Sequence, residues 1–141
     1  MDSDKLPPDE LRLTTPIHTD SGFLTFLSTF GYPGLQVDVG EGVYKSVRPV
    51  PNTMVVNLGD MLSRTTGYRL KATKHRVLDI GVERYSSPFF FEPRYAASIP
   101  STIAHLTSAS EITDEECVYF GHWVIGKMSL FGESKDWPLT I

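Results

Sequence analysis

Five polar residues in this sequence are placed so that they could act together on an ion or a small molecule. His18 and Asp20 stand two positions apart in IHTDSG, His75 lies in KATKHRVL, and Arg84 and Ser86, again two apart, open RYSSPFFFEP. On an extended strand, residues i and i+2 point to the same face, so His18 and Asp20 can aim an imidazole and a carboxylate at one point. Those are donors that a metal ion accepts. Taken alone, the pair reads better as a satisfied structural pair at a strand end, and a third ligand is what would reverse that. The other histidines are His75, His105 and His122. Strand alternation puts Thr73, His75 and Val77 on one face. Arg84 and Ser86 would share a face of an otherwise apolar strand. An arginine so placed calls for an anion, and its planar donor fork suits a carboxylate, whether from a ligand or from a protein acid.

The elements that must position these residues are short and β-like. Ile17 to Ser28 reads as one extended run, followed by a turn at GYPG. LQVDV alternates, GEG makes a hairpin loop, and VYKSVRPV returns, with Pro49 at a strand end or edge. TMVVNL is nearly continuous in apolar residues, the pattern of a strand buried on both faces, and Met61 to Thr66 reads as a helical turn. Strands around Ala72 to Leu78 and Arg84 to Phe91 complete a series whose close-set turns predict an antiparallel sandwich, barrel or jelly roll. Toward the end, Thr113 and Glu116 fit a capping box, with Ile112 placed to staple onto Cys117. Cys117, Phe120, Val124, Met128 and Phe131 then form an apolar helical stripe closed by Gly132.

Composition narrows the class. The 141 residues suffice for one domain, with 40% hydrophobic residues and a net charge of −4. That balance gives no basic footprint for nucleic acid or for an anionic membrane surface. No apolar run approaches the ~20 residues of a membrane span, and MDSDKLPPDELRL lacks the basic-then-apolar order of a signal peptide. A single cysteine, Cys117, excludes an internal disulfide framework and suits a reducing compartment, so a cytoplasmic protein is expected.

In order along the chain, HxD is followed after 55 residues by His75 and after nine more by RxS. With HTDSGFLTFL, GLQV, VRPVPNTMVVNLGDML, KATKHRV and RYSSPFFFEP, this chain resembles the iron(II)- and 2-oxoglutarate-dependent dioxygenase superfamily, in the branch of isopenicillin N synthase. The resemblance runs from about Pro16 to Pro93 and implies a double-stranded β-helix, or jelly roll. It implies that His18, Asp20 and His75 are the iron ligands and that Arg84 and Ser86 hold the distal carboxylate of 2-oxoglutarate. Two imidazoles and one carboxylate suit one face of an octahedral ferrous ion. A zinc hydrolase could use the same ligand types, but it would leave the arginine and serine unexplained. The implied activity couples oxidative decarboxylation of 2-oxoglutarate to oxidation of a small organic substrate, with ascorbate as an optional reductant. A related iron oxidase that does not use 2-oxoglutarate is the alternative, since isopenicillin N synthase and aminocyclopropane-carboxylate oxidase share the pattern.

The family's usual length is about twice this one or more. The jelly roll is therefore expected to be incomplete at its N-terminus, lacking a first strand, a cosubstrate-contacting tyrosine and much of the substrate pocket. Residues 1–16 are expected to be a leader, 17–95 a metal-binding core and 96–141 an extension with a C-terminal helix, all in one domain. Apolar surface left bare would favour a homo-oligomer, or cover by an upstream segment; without it, the chain would be an inert or partner-dependent fragment. Among the remaining residues, Tyr85 is expected to pack outside the barrel, Asn57 and Asp60 to fix a turn, and Phe89, Phe90, Phe91 and Cys117 to fill core. His105 and His122 are expected to stay outside the site.

Overall fold

The computed structural model describes residues 11–100 and 117–128 of the chain. Alternating apolar residues between glycine and proline turns give β1 (Leu13–His18), β2 (Leu24–Ser28), β3 (Leu35–Asp38), β4 (Tyr44–Ser46) and β5 (Val55–Leu58). A short helix, α1 (Asp60–Thr65), precedes β6 (His75–Leu78) and β7 (Ser87–Phe91). One antiparallel sheet has the order β1-β6-β3-β4 and a second the order β5-β2-β7, so the chain winds back and forth between two sheets. This is the expected jelly-roll winding. The GEG loop closes β3 onto β4 with Gly40 and Gly42 at φ of 127° and 77°, values that glycine adopts without strain.

Residues directly opposite each other in an antiparallel pair share a face. His18 lies opposite His75, His75 opposite Val37, and Val37 opposite Lys45. One cross-strand row therefore carries both histidines, a valine and a lysine. β1 reaches this row through a bulge. Thr15 pairs with Val77 and His18 with His75, so β1 uses three residues where β6 uses two. Pro16 and Ile17 both turn outward there, and the extra residue re-aims His18 onto the face that Thr15 and Val77 share.

The largest buried cluster lies beneath the turn after β1. Met61 has no exposed surface and meets Ile99 and Phe120, flanked by Phe23, Trp123 and Val124. Ile99 belongs to β8 (Ser98–Pro100), which pairs with β9 (Cys117–Tyr119), and α2 (Phe120–Met128) follows at once. α2 anchors itself on the same turn: Trp123 Nε1 donates to the Ser21 carbonyl at 2.8 Å, and Lys127 Nζ pairs with Asp60 at 2.9 Å.

Several expectations are corrected. The run from Ile17 to Ser28 is not one strand; it breaks after His18 and resumes at Leu24. β1 begins at Leu13, inside the stretch read as leader, because Leu13 finds Leu78 across the sheet. The C-terminal helix is present, but it begins at Phe120. Residues Cys117–Tyr119 are strand, because β8 offers them a ladder, and the Ala97 and Tyr95 carbonyls accept the Phe120 and Gly121 N–H groups. Ile112, Thr113, Glu116, Phe131, Gly132 and His105 lie outside the described residues. β5 is not buried on both faces, since it is an edge strand with Val56 exposed. Phe89, Phe90 and Phe91 do not fill core: β7 is the opposite edge, and all three remain more than half exposed. Tyr85 is exposed as well rather than packed. None of the described helices is long and apolar enough to cross a membrane.

Candidate metal centre

His18 ends β1, Asp20 follows in the turn, and His75 opens β6. Strand periodicity alone does not bring Asp20 to the histidines, since it sits beyond the strand end. The turn is held instead by α1: the Asp60 N–H donates to the Asp20 carbonyl at 2.7 Å, and the Gly59 N–H to the Phe23 carbonyl at 2.8 Å. Gly22 and Gly59 meet there backbone to backbone, so close that a Cβ on Gly59 would overlap the Gly22 carbonyl.

The triad's remaining atoms are committed in a way that leaves one donor free on each residue. His18 Nδ1 binds the Pro16 carbonyl at 2.8 Å and His75 Nδ1 the Thr73 carbonyl at 3.1 Å, so each ring donates from Nδ1 and presents Nε2 as an acceptor. Asp20 Oδ2 accepts from Asn57 Nδ2 at 2.7 Å and from the Thr25 hydroxyl. Its Oδ1 faces His18 Nε2 at 3.5 Å and His75 Nε2 at 3.7 Å. Donors of a first-row ion bound at about 2.1 Å and at right angles stand about 3 Å apart, so this set needs to contract only slightly. The side chains of Asp20 and His75 are nearly buried, at 9% and 12% exposed, and His18 is more open at 27%. The residues fit a divalent cation with nitrogen and oxygen preference, bound on one face and open on the other.

Electrostatics agree with that fit. Burial pushes the Asp20 carboxyl up, but a hydrogen bond from His18 when that ring is protonated, with those from Asn57 and Thr25, holds it far below the usual carboxylate range. The hydrogen bond to Asp20 raises His18, against the opposing effect of burial. A metal takes the neutral imidazole, so protons compete with it at His18 from a higher pH than at an ordinary histidine. Apparent metal affinity is expected to fall as pH drops into that range and to level off above it, which calorimetric titration over roughly pH 5.5–8 reads directly. Glu92 sits behind the turn and accepts the Phe23 N–H at 3.1 Å; burial raises its pKa.

Thr25 and Asn57 are the functional residues that the sequence reading misses, since it gives Asn57 only a turn to fix. They stand opposite each other in β2 and β5, each flanked by apolar residues, in LTF of one strand and VNL of the other. That matched polar interruption is the available signal. Asn57→Leu is expected to lower metal affinity about 10–100-fold, as loss of an outer partner does elsewhere, without unfolding the chain.

Arg84 and Ser86 do not lie on a strand, since β7 starts at Ser87. Both nonetheless line one cleft of about 470 Å³ together with Thr14 and Thr15 of β1, Asp79 and Glu83. Thr15 shares the face of His18 and Thr14 the opposite one, so the cleft lies along β1 at the sheet edge, and no triad residue lines it. Arg84 Nη2 donates to the Thr14 hydroxyl at 3.1 Å, and among the described residues it forms no ion pair with a protein acid. His122 of α2 makes a tilted ring contact with Tyr119 of β9 and is not part of the triad.

Comparison with known proteins places this site in a family. The chain is 35% identical over 113 residues to Protein DMR6-LIKE OXYGENASE 2 of Arabidopsis thaliana, covering 79% of this chain and 30% of that protein. It is 47% identical over 76 residues to the 2-oxoglutarate-Fe(II) type oxidoreductase hxnY of Emericella nidulans, covering 52% of this chain and 22% of that one. The structure of dioxygenase for auxin oxidation 1 from Arabidopsis thaliana, in its binary complex with 2-oxoglutarate, aligns over 74% of this chain and 40% of its own, with a TM-score of 0.59 and 33% identity. The chain thus spans less than half the length of these proteins. Residues 3–93, which include the triad, Arg84 and Ser86, match the family model, and the chain belongs to the 2OG-Fe(II) oxygenase superfamily.

Proposed function

We propose that this chain carries the metal and cosubstrate centre of an iron(II)- and 2-oxoglutarate-dependent oxygenase acting on a small organic substrate. His18, Asp20 and His75 hold ferrous iron, and Arg84 with Ser86 receives the distal carboxylate of 2-oxoglutarate. One observation carries this reading: Nε2, Nε2 and Oδ1 converge while every other donor of the triad is already bonded. Iron with 2-oxoglutarate supplies dioxygen activation coupled to decarboxylation. The chain's own residues supply the geometry. The two Nδ1 bonds fix the rings, Asn57 and Thr25 keep Asp20 presenting a single oxygen, and Arg84 exchanges a neutral hydroxyl partner for a carboxylate, a stronger bond. Ascorbate serves as an optional reductant. The metal-binding core runs from the start of β1 at Leu13 to about residue 95, with 96–141 an extension of the same domain, in a cytoplasmic protein.

Anaerobic titration with Fe(II) and then 2-oxoglutarate tests the reading, because chelation produces a visible charge-transfer band. Arg84→Ala is expected to weaken 2-oxoglutarate about tenfold or more while sparing iron affinity. Absence of the band, or equal loss of both affinities, would refute the assignment. The bare phenylalanines of β7 favour a second reading, in which turnover requires another copy or an upstream segment to cover that sheet. Succinate formation by the isolated chain distinguishes the two.

A further inference from the structure

The geometry points to Lys45 as a residue that selects the prime substrate, by binding a carboxylate on it. This rests on the oxygenase reading above and adds the substrate class: amphipathic organic acids. Lys45 stands in the row His18, His75, Val37, Lys45, on the face of the sheet that carries the metal ligands. Strands lie about 4.8 Å apart, so Lys45 starts about 10 Å from His75, and its four-carbon stem can carry the ammonium well toward the open side of the metal. The side chain is exposed and makes no ion pair or side-chain hydrogen bond among the described residues. Its surroundings are apolar. Val37, Val39 and Val43 share its face, through Val37 opposite Lys45 and Val39 bonded to Val43. On the second sheet, Leu27, Val55 and Phe90 share the face on which Thr25 and Asn57 reach Asp20. An ammonium without an ion pair among the described residues, beside valines and on the sheet face of His18 and His75, is what an anion on an otherwise apolar molecule would meet.

Lys45 is also on an edge strand, where a lone lysine can simply block edge-to-edge pairing. The experiment separates the two roles. The protein is loaded with Mn(II) and 2-oxoglutarate, and paramagnetic relaxation of added phenylbutyrate and of its uncharged amide is measured by NMR. The expected result is that phenylbutyrate binds beside the metal about tenfold or more tightly than the amide. Lys45→Met should abolish that preference, Lys45→Arg should retain it, and Mn(II) and 2-oxoglutarate affinities should be equal in all three proteins. No preference in the parent protein overturns the proposal. So does a Lys45→Met variant that loses 2-oxoglutarate instead of the probe, or one that changes only its sedimentation. Failure of the parent to bind Mn(II) or 2-oxoglutarate would instead sink the oxygenase reading itself.

Discussion

His75→Ala is expected to abolish tight divalent-metal binding and leave a folded chain. The His75 ring is held by one local hydrogen bond, from Nδ1 to the Thr73 carbonyl, and by its contact with the His18 ring at 4.2 Å, so alanine costs some packing but leaves the strand ladder intact. It removes one of three converging donors, and the loss of affinity should exceed the ~100-fold that accompanies loss of an outer partner. Thermal unfolding gives a second readout. Metal at 100 times its Kd stabilises the native state by about 2.7 kcal/mol, which for a chain of this size raises Tm by on the order of 10 °C. The parent should show that rise with Mn(II) or Fe(II), and His75→Ala should not. A full thermal shift in the variant would remove His75 from the site.

Gly59→Ala is the second large effect, and it acts through backbone rather than ligand chemistry. The added methyl would overlap the Gly22 carbonyl oxygen, and backbone cannot step aside as the end of a side chain can. Relief requires the turn between β1 and β2 to move off the start of α1, breaking the bonds from Gly59, Asp60 and Met61 that hold it. A loss of about 3 kcal/mol, at the upper end for overpacking, and a Tm lower by roughly 10 °C are expected. Metal affinity should fall with it, because Asp20 rides on that turn. Gly22→Ala makes the control: the nearest atoms to its methyl belong to the Glu92 carboxylate, a side-chain end that can swing away for the loss of its bond from the Phe23 N–H. Equal Tm losses in the two variants would show that the backbone contact is not what matters.

The parts of this architecture that are readable in the sequence are those set by local pattern and rare residue types. Alternation in LQVDV and the GEG loop specify β3, β4 and their hairpin. His18, Asp20 and His75 are identifiable because few histidines compete for the role and RxS follows in order. What escapes depends on contacts between distant segments. The bulge at Pro16 and Ile17 exists because β1 must match β6, which no window around His18 contains. Thr25 and Asn57 acquire their role only when β2 and β5 pair beside Asp20. Phe90 reads as core in any window, yet its exposure is decided by what lies across the sheet edge. Cys117 to Tyr119 carry helical spacing and become strand because β8 is there to pair with them.

The bond from Trp123 to the Ser21 carbonyl links residues 102 positions apart, next to a metal ligand. During synthesis, residues 18 to 75 emerge well before Trp123 does. Until α2 has left the ribosome, the turn bearing Asp20 lacks one of its anchors, and closing so long a loop is slow compared with forming the local hairpins. Metal capture at the proposed His18, Asp20 and His75 site is therefore expected late in the life of the nascent chain, and termination before Trp123 is expected to leave all three side chains with a slacker turn behind Asp20.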